Sequence, residues 1–463
     1  MRKPFNSNLI FSIIFTFYLF ILLYYKNLSL NNTYFDLGVY YSQLKFFNNA
    51  DYWILFYGHF SPYIIFLSLI KKIFFFIEID IMLIIVNCLI FFATALLISK
   101  HYSKLKFFIF IFFYPIYHSL LHDFHIEIII LPLCLGALIL IDKEKYKLSY
   151  LFIFLIFLTK ISLYFTIISL GVILYSKGKK KIGISFLSIS TLIILIYYSF
   201  IRNEIIYTNN ELLFSGLETI KEIINRSLYS YMINILLGII TISSSILLIN
   251  YKKIFYKPLW LSITPIFTYY LLAGNTNYLL PIYHYFYQFI PFLIFYCFKE
   301  ENLNKKINFN QLFISIISFI FLSISPISIM FYKDVRLKLD FNSFFDYKKG
   351  IKTKEIILSE INKFEKNSVL SISNNLVFKE YLDFKAVFPF GQDINGYVMI
   401  PNKKIFGKFE EVKINYFIID KKSKYFVDNI INDDKYYSIL RKYQEKYRTV
   451  FEDNDLMILK NEL

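Results

Sequence analysis

Few side chains in this sequence are equipped for chemistry, and they recur in short motifs. His122-Asp123-Phe124-His125-Ile126-Glu127 places two imidazoles and two carboxylates between long apolar runs. That mixture suits general acid–base transfer, and Asp123 with His125 forms a mixed N/O donor pair for a divalent cation, although i,i+2 spacing is no metal signature by itself. Asp36 stands between Phe35 and Leu37, His59 opens His59-Phe60-Ser61-Pro62, Lys160 divides two apolar runs, and His284-Tyr285 begins another. An ionisable group costs roughly 2.5–3.5 kcal/mol at mid-membrane and less at an interface. Capping or snorkelling accounts for any one of these groups alone. The cluster at 123–127 taken with Asp36 favours a function.

The elements that position these residues are apolar helices. The chain has 463 residues, 57% hydrophobic and 21% aromatic, with a mean hydropathy of +0.50. Leu9–Tyr25, Ile81–Ser99 and Leu312–Tyr332 each approach the ~20 apolar residues that cross hydrocarbon. No small-residue cleavage site follows the first run, which reads as a retained helix rather than a signal peptide. Lysines cluster between runs at Arg2/Lys3, Lys100–Lys106, Lys143–Lys147, Lys177–Lys181, Lys252–Lys257 and Lys299–Lys306. Placed in the cytoplasm by the positive-inside rule, these clusters give about eleven crossings, a cytoplasmic N-terminus and a plasma-membrane location. The net charge of +16 is thereby absorbed into membrane topology, which excludes a nucleic-acid partner.

Two stretches need special treatment. Phe60–Ile79 is interrupted by Lys71 and Lys72 and reads as a half-inserted juxtamembrane helix on the outer face. Leu148–Tyr175, about 28 residues or ~42 Å of helix, is long for one span and short for two. The charge pattern asks for a hairpin of two short helices meeting near Lys160, its turn buried in protein. With that hairpin, Asp36, His59, Asp123, His125, Glu127, Lys160 and His284 all face outward.

The fold class expected is an all-α polytopic domain over 1–331 followed by a small α/β domain over 332–463 on the outer face. Strand-like runs are Ser368–Ile372, Ala386–Phe390, Tyr416–Ile419 and Leu456–Leu459; Thr353–Phe364 and Asp434–Tyr447 read as amphipathic helices. Asn374-Asn375 suits either a helix cap or a ligand at a helix N-terminus. Cys88, Cys134 and Cys297 lie inside apolar runs and read as buried small residues. No phosphate-binding glycine loop, nucleophile elbow or Cys/His zinc motif occurs, so ATP-driven chemistry is not expected.

The order Phe35-Asp36-Leu37-Gly38, His59-Phe60-Ser61-Pro62, Tyr114-Pro115, Asp123-Phe124-His125-x-Glu127, Lys160, His284-Tyr285 resembles a bacterial and archaeal family of membrane proteins, domain of unknown function two-thousand-seventy-nine. More distantly it is similar to the GT-C superfamily of polytopic glycosyltransferases. The resemblance covers roughly residues 9–300. It implies transfer of a sugar from a polyisoprenyl-phosphate donor in the membrane lipid to an extracytoplasmic acceptor, with inversion. Asp36 takes the place of the catalytic carboxylate of the first outer loop, and Asp123 and Glu127 are the acidic candidates of the second. His59, His125, Lys160, His284 and Tyr285 take substrate-binding places. A divalent metal on Asp36, Asp123 and His125 is compatible with the pattern. The chain departs from the family where Ile161 and Ser162 replace frequent acidic residues. The alternatives are a transporter or flippase of a lipid-linked glycan, and a membrane protein without catalysis. Gathering the polar residues at one face, with no half-to-half repeat, weighs against a transporter.

Overall fold

In the computed structural model the chain is a helical bundle with a small C-terminal sheet domain docked on one end. The structure describes residues 7–30, 36–48, 61–122, 124–197, 228–273, 284–299, 305–321, 346–373, 375–390, 413–421, 425–426, 429–430 and 433–462. The side chains of Asp36, His118, His122, His284 and Tyr285 are outside that set, as are all of His59 and Asp123 and the expected domain boundary near 332.

The bundle contains α1 (Ser7–Leu28), α2 (Asp36–Asn48), α3 (Tyr63–Ile73), α4 (Ile79–His101), α5 (Lys104–Ile111), α6 (Tyr114–His122) and α7 (Ile130–Asp142). It continues with α8 (Tyr146–Phe157), α9 (Tyr164–Ser176), α10 (Lys180–Ile196), α11 (Leu228–Asn250), α12 (Lys257–Ala273), α13 (Ile290–Phe298) and α14 (Lys305–Phe321). Among the described residues, Ser7–Leu28, Ile79–His101 and Ile235–Lys253 are long and apolar enough to cross a membrane. A fourth span results if α5 and α6, bent by 47° at a short break, count as one. Several shorter apolar helices, including Tyr146–Phe157 and Phe309–Ile320, fill out the bundle.

Among the described residues, the clusters around His101, Lys143, Lys177 and Lys299 meet at one end. Lys143 Nζ lies 2.8 Å from His101 Nδ1, Lys177 and Lys299 both pair with Asp142, and Lys179 sits 4.4 Å from the Tyr146 ring. The last contact brings the end of α9 back beside the start of α8, so 146–176 is a hairpin of two short helices with Lys160 at its tip. Its return arm packs tightly on α10: a Cβ on Gly183 would lie 2.7 Å from Gly171 O and 2.7 Å from Tyr175 N. Only a residue without a side chain lets these backbones touch.

α3 is too short to cross, at 11 residues or about 16 Å. Tyr63, Ile64 and Leu67 face the protein, while Ile65, Phe66, Leu69 and Ile73 are exposed and continue into exposed Phe74, Phe75 and Phe76. Lys71 folds back to donate to Phe75 O at 2.8 Å and to Ile77 O, closing the carbonyls at the helix end.

The C-terminal domain places α15 (Tyr347–Ile361) and α16 (Asp433–Lys446) on opposite faces of a sheet in the order β2-β1-β3-β7-β6. β1 (Val369–Ile372) pairs parallel with β2 (Ala386–Pro389) and with β3 (Tyr416–Asp420). β7 (Leu456–Lys460) runs antiparallel to β3 and to β6 (Arg448–Glu452), and a separate hairpin joins β4 (Tyr425–Phe426) to β5 (Asn429–Ile430). Alternation in β3 explains the two cores. Tyr416 and Ile418 join the core shared with the bundle, and Phe417 and Ile419 join Tyr436 and Leu440 beneath α16.

Docking uses backbone contact as well as charge. A Cβ on Gly350 would fall 2.1 Å from Leu28 O, so α15 rests directly on the end of α1. Tyr25 and Tyr347 meet edge to face at 5.4 Å, Lys45 donates to Leu382 O at 2.8 Å, and Lys379 pairs with Glu78 ahead of α4. Asn375 caps no helix: its Nδ2 donates to Asp420 Oδ2 at 2.6 Å and to Leu30 O at 3.2 Å, tying strand β1 to the bundle.

The Lys379 hydrogen bond holds the Glu78 carboxyl below its ordinary value of 4.5. A carboxyl lowered in the folded state contributes stability that is full above its unfolded pKa and is lost as pH falls through the folded one. Both side chains are half exposed, so screening limits the pair to less than about 1 kcal/mol. Release of the C-terminal domain by limited proteolysis is therefore expected to accelerate by up to about fivefold from pH 7 to pH 3, with Glu78→Gln already accelerated at pH 7 and losing that part of the pH dependence. An identical pH profile in Glu78→Gln and the parent chain removes this pair from docking.

Candidate functional site

Opposite the lysine-rich end, the segment after α6 turns through Phe124 and an extended His125 into a 3-10 turn, Ile126–Ile129, that runs on into α7. Tyr40 on α2 braces this segment. Its hydroxyl accepts from Ile126 N at 3.1 Å and its ring meets Phe124 edge-on at 4.9 Å. Lys26, on the last turn of α1, donates to Leu121 O at 2.9 Å from a position only 2% exposed. The backbone carrying the motif is thus clamped from two sides.

Glu127 is 3% exposed and its Oε1 accepts from Lys160 Nζ in a close ion pair. The carboxylate also lies in the first turn of a helical segment, where the backbone dipole favours negative charge. His125, equally buried, places Nδ1 4.0 Å from Glu127 Oε2. Cation, carboxylate and imidazole therefore form a row inside the bundle. α8 is 12 residues long, so Lys160 stands about 18 Å from the lysine-rich end, while the 23 residues of α4 reach about 34 Å. The pair is recessed below the end of the bundle.

The hairpin tip is held in protein. Tyr63 N, at the start of α3, donates to Thr159 O at 3.4 Å, and Leu163 N donates to Lys160 O at 3.0 Å. Thr159, Ile161 and Leu163 are all buried. The turn that begins at His284 and ends at Gln288 packs beside α6 and the 126–129 turn. Gln288 is completely buried and acts as the junction. Its Oε1 accepts from Thr166 at 2.9 Å, while Nε2 donates to Tyr270 Oη at 2.8 Å and Ser162 O at 3.3 Å.

Of the residues expected from sequence, His125, Glu127 and Lys160 are brought together. The backbone of the turn opening at His284 lies beside them, and Asp36 is the first residue of α2, the helix that supplies Tyr40. His59, Asp123 and the side chains of Asp36, His284 and Tyr285 lie outside the described residues. Among the described residues no group of three His, Cys, Asp or Glu side chains is arranged for a metal. Sequence reading missed Lys26, Tyr40 and Gln288. A lysine within a helix's last turn and a lone glutamine amid aromatics were signals, but weak ones in a chain so rich in Lys and Tyr. No family model, curated protein or solved structure matches the chain.

Chemically, the row sets a buried carboxylate between the ammonium it pairs with and an imidazole 4.0 Å away. Removing one member of a buried pair strands the other charge, at about 3–5 kcal/mol. Lys160→Met is expected to lower thermal stability in detergent by that amount, and adding Glu127→Gln to recover most of it. A double variant no more stable than Lys160→Met means that the two charges are solvated separately.

Proposed function

We propose that the protein is a polytopic membrane transferase of GT-C type, moving a sugar from a polyisoprenyl-phosphate donor to an acceptor on the outer face. The observation that carries this reading is segregation. The described lysine loops around His101, Lys143, Lys177 and Lys299 gather at one end of the bundle, while the Glu127–Lys160 pair, His125, the first turns of α2 and the C-terminal domain gather at the other. By the positive-inside rule the lysine end is cytoplasmic and the polar site faces outward. In this proposal the shorter apolar helices make up the remainder of about eleven crossings, and the recessed pair lies where a lipid-borne phosphate meets water.

In this reading Asp36 is the base that removes a proton from the acceptor hydroxyl or amine as it attacks the anomeric carbon. Asp123 is the second carboxylate, Glu127 pairs with Lys160, and Lys160 with His284 stabilises the leaving phosphate; a divalent cation would be held by Asp36, Asp123 and His125 and would supply positive charge there. His59 and Tyr285 contact substrate. The resemblance of the motif order to GT-C enzymes supports the assignment of roles. A buried intramembrane ion pair is also what a transporter of the same lipid-linked glycan would use, so the test separates the two.

Reporter fusions at Leu463 and after Lys181 are expected to place the first outside and the second inside. With that orientation, Asp36→Asn is expected to reduce glycan transfer by at least about 100-fold without loss of stability. A cytoplasmic Leu463, or full transfer by Asp36→Asn, overturns the enzyme reading; retained movement of the glycan lipid across the bilayer without transfer points to the transporter.

A further inference from the structure

A narrow cleft opens between α1, α2 and α4 at the site end of the bundle, with a volume of about 40 Å³. Leu23, Leu83 and Phe124 form apolar walls, but the lining also includes Lys26, Asp80 and Asn87. Near the mouth, Asn27 Nδ2 donates to Asp80 Oδ2 at 3.1 Å. Asn87 lies seven residues further along α4, about 10 Å deeper. It is 2% exposed, and its Oδ1 has no hydrogen-bond partner among the described residues.

An amide is a poor occupant of a dry apolar helix interface, and buried polar groups are almost always partnered by protein or water. A polar cavity of this size has room for on the order of three waters. One wall of the cleft is the segment that carries the functional row. Phe124 lines the cleft directly, and Lys26 is bonded to Leu121 O at the start of that segment.

We infer that this cleft is a hydrated inlet, a water-binding groove running about two turns down α4 to the back of the 121–127 segment. Its volume matches a few waters. The inlet depends on the orientation proposed above only for the side from which water enters.

The test uses the full chain with Cys88, Cys134 and Cys297 replaced by Ala, carrying Asn87→Cys, Ile84→Cys, Leu89→Cys or Glu78→Cys singly. Silver ion, a water-sized thiol reagent, is added to right-side-out or to inverted vesicles, and unreacted thiol is counted with a maleimide after denaturation. Leu89 is 57% exposed but turned away from the cleft, whereas Ile84 lines it beside Asn87. The inlet predicts that the buried positions react and the exposed one does not. Cys at 87 and 84 should react at least tenfold faster than Cys at 89, from the same membrane side as Cys at 78. Ile84→Cys keeps the result independent of any folding defect at Asn87. Reaction of 78, 84 and 87 together from the cytoplasmic side supports the inlet and overturns the orientation. Reaction at 78 with 84 and 87 as slow as 89, or equal rates at all four positions, overturns the inlet.

Discussion

A carboxylate and an ammonium removed from water must be brought together or neutralised, and that constraint organises the end of the bundle where Glu127 meets Lys160. The two residues come from distant parts of the chain, one entering α7 and the other at the tip of the α8–α9 hairpin. Their attraction outweighs desolvation only if the geometry is tight and the neighbouring polar groups are satisfied. The backbone around the pair meets that demand, whereas Glu127 Oε2 has no hydrogen-bond partner among the described residues. Tyr63 N reaches the hairpin carbonyl at Thr159, Tyr40 takes the Ile126 amide, and Gln288 bridges α9, α12 and the 284–288 turn. Loss of the hairpin tip would leave Glu127 charged in an apolar interior and remove one end of the Thr159–Tyr63 link.

The hairpin is also why helices shorter than a membrane is thick are stable here. α8 and α9 each end near the middle of the bundle, where backbone carbonyls at a helix terminus would be costly in hydrocarbon. They terminate against protein instead, with Thr159 and Ile161 buried. Tight contact between α9 and α10 through Gly171 and Gly183 fixes the returning arm, so the position of Lys160 is set by helix packing. A recessed charge and a short hairpin are thus one design seen from two directions.

Much of this was legible in the sequence because length and charge are strong signals. A 28-residue apolar run with a central lysine, bounded by basic clusters, has few solutions, and the two short helices split at Lys160 follow from it. The four strand-like runs coincide with β1, β2, β3 and β7 for a similar reason, since buried strands of a parallel-centred sheet are continuously apolar. β6 was not read because Arg448–Glu452 is an exposed edge whose residues carry no alternation. Glu127 and Lys160 were each read as facing substrate. That they face one another is a tertiary fact: neither periodicity nor charge counting encodes which partner a buried group will find. Asn375 shows the same limit. Its local pattern suggests a cap, yet its amide serves contacts 45 and 345 residues away.

The docked domain adds a further constraint on the site. Its contacts fall on the ends of α1, α2 and α4, the helices that border the cleft containing Lys26 and Asn87. Gly350 brings backbone against Leu28, two residues from Lys26, and Lys379 holds the turn just before Asp80. A change in how the domain sits must therefore move the mouth of the cleft before it reaches Glu127, which is fixed from within the bundle. The polar groups at this end have two kinds of mechanical support: an inner row set by helix packing, and a rim set by the C-terminal domain, held through backbone contact and half-exposed charges. Coupling between them runs through α1 and α4, whose long antiparallel contact carries rim and interior on the same rigid elements.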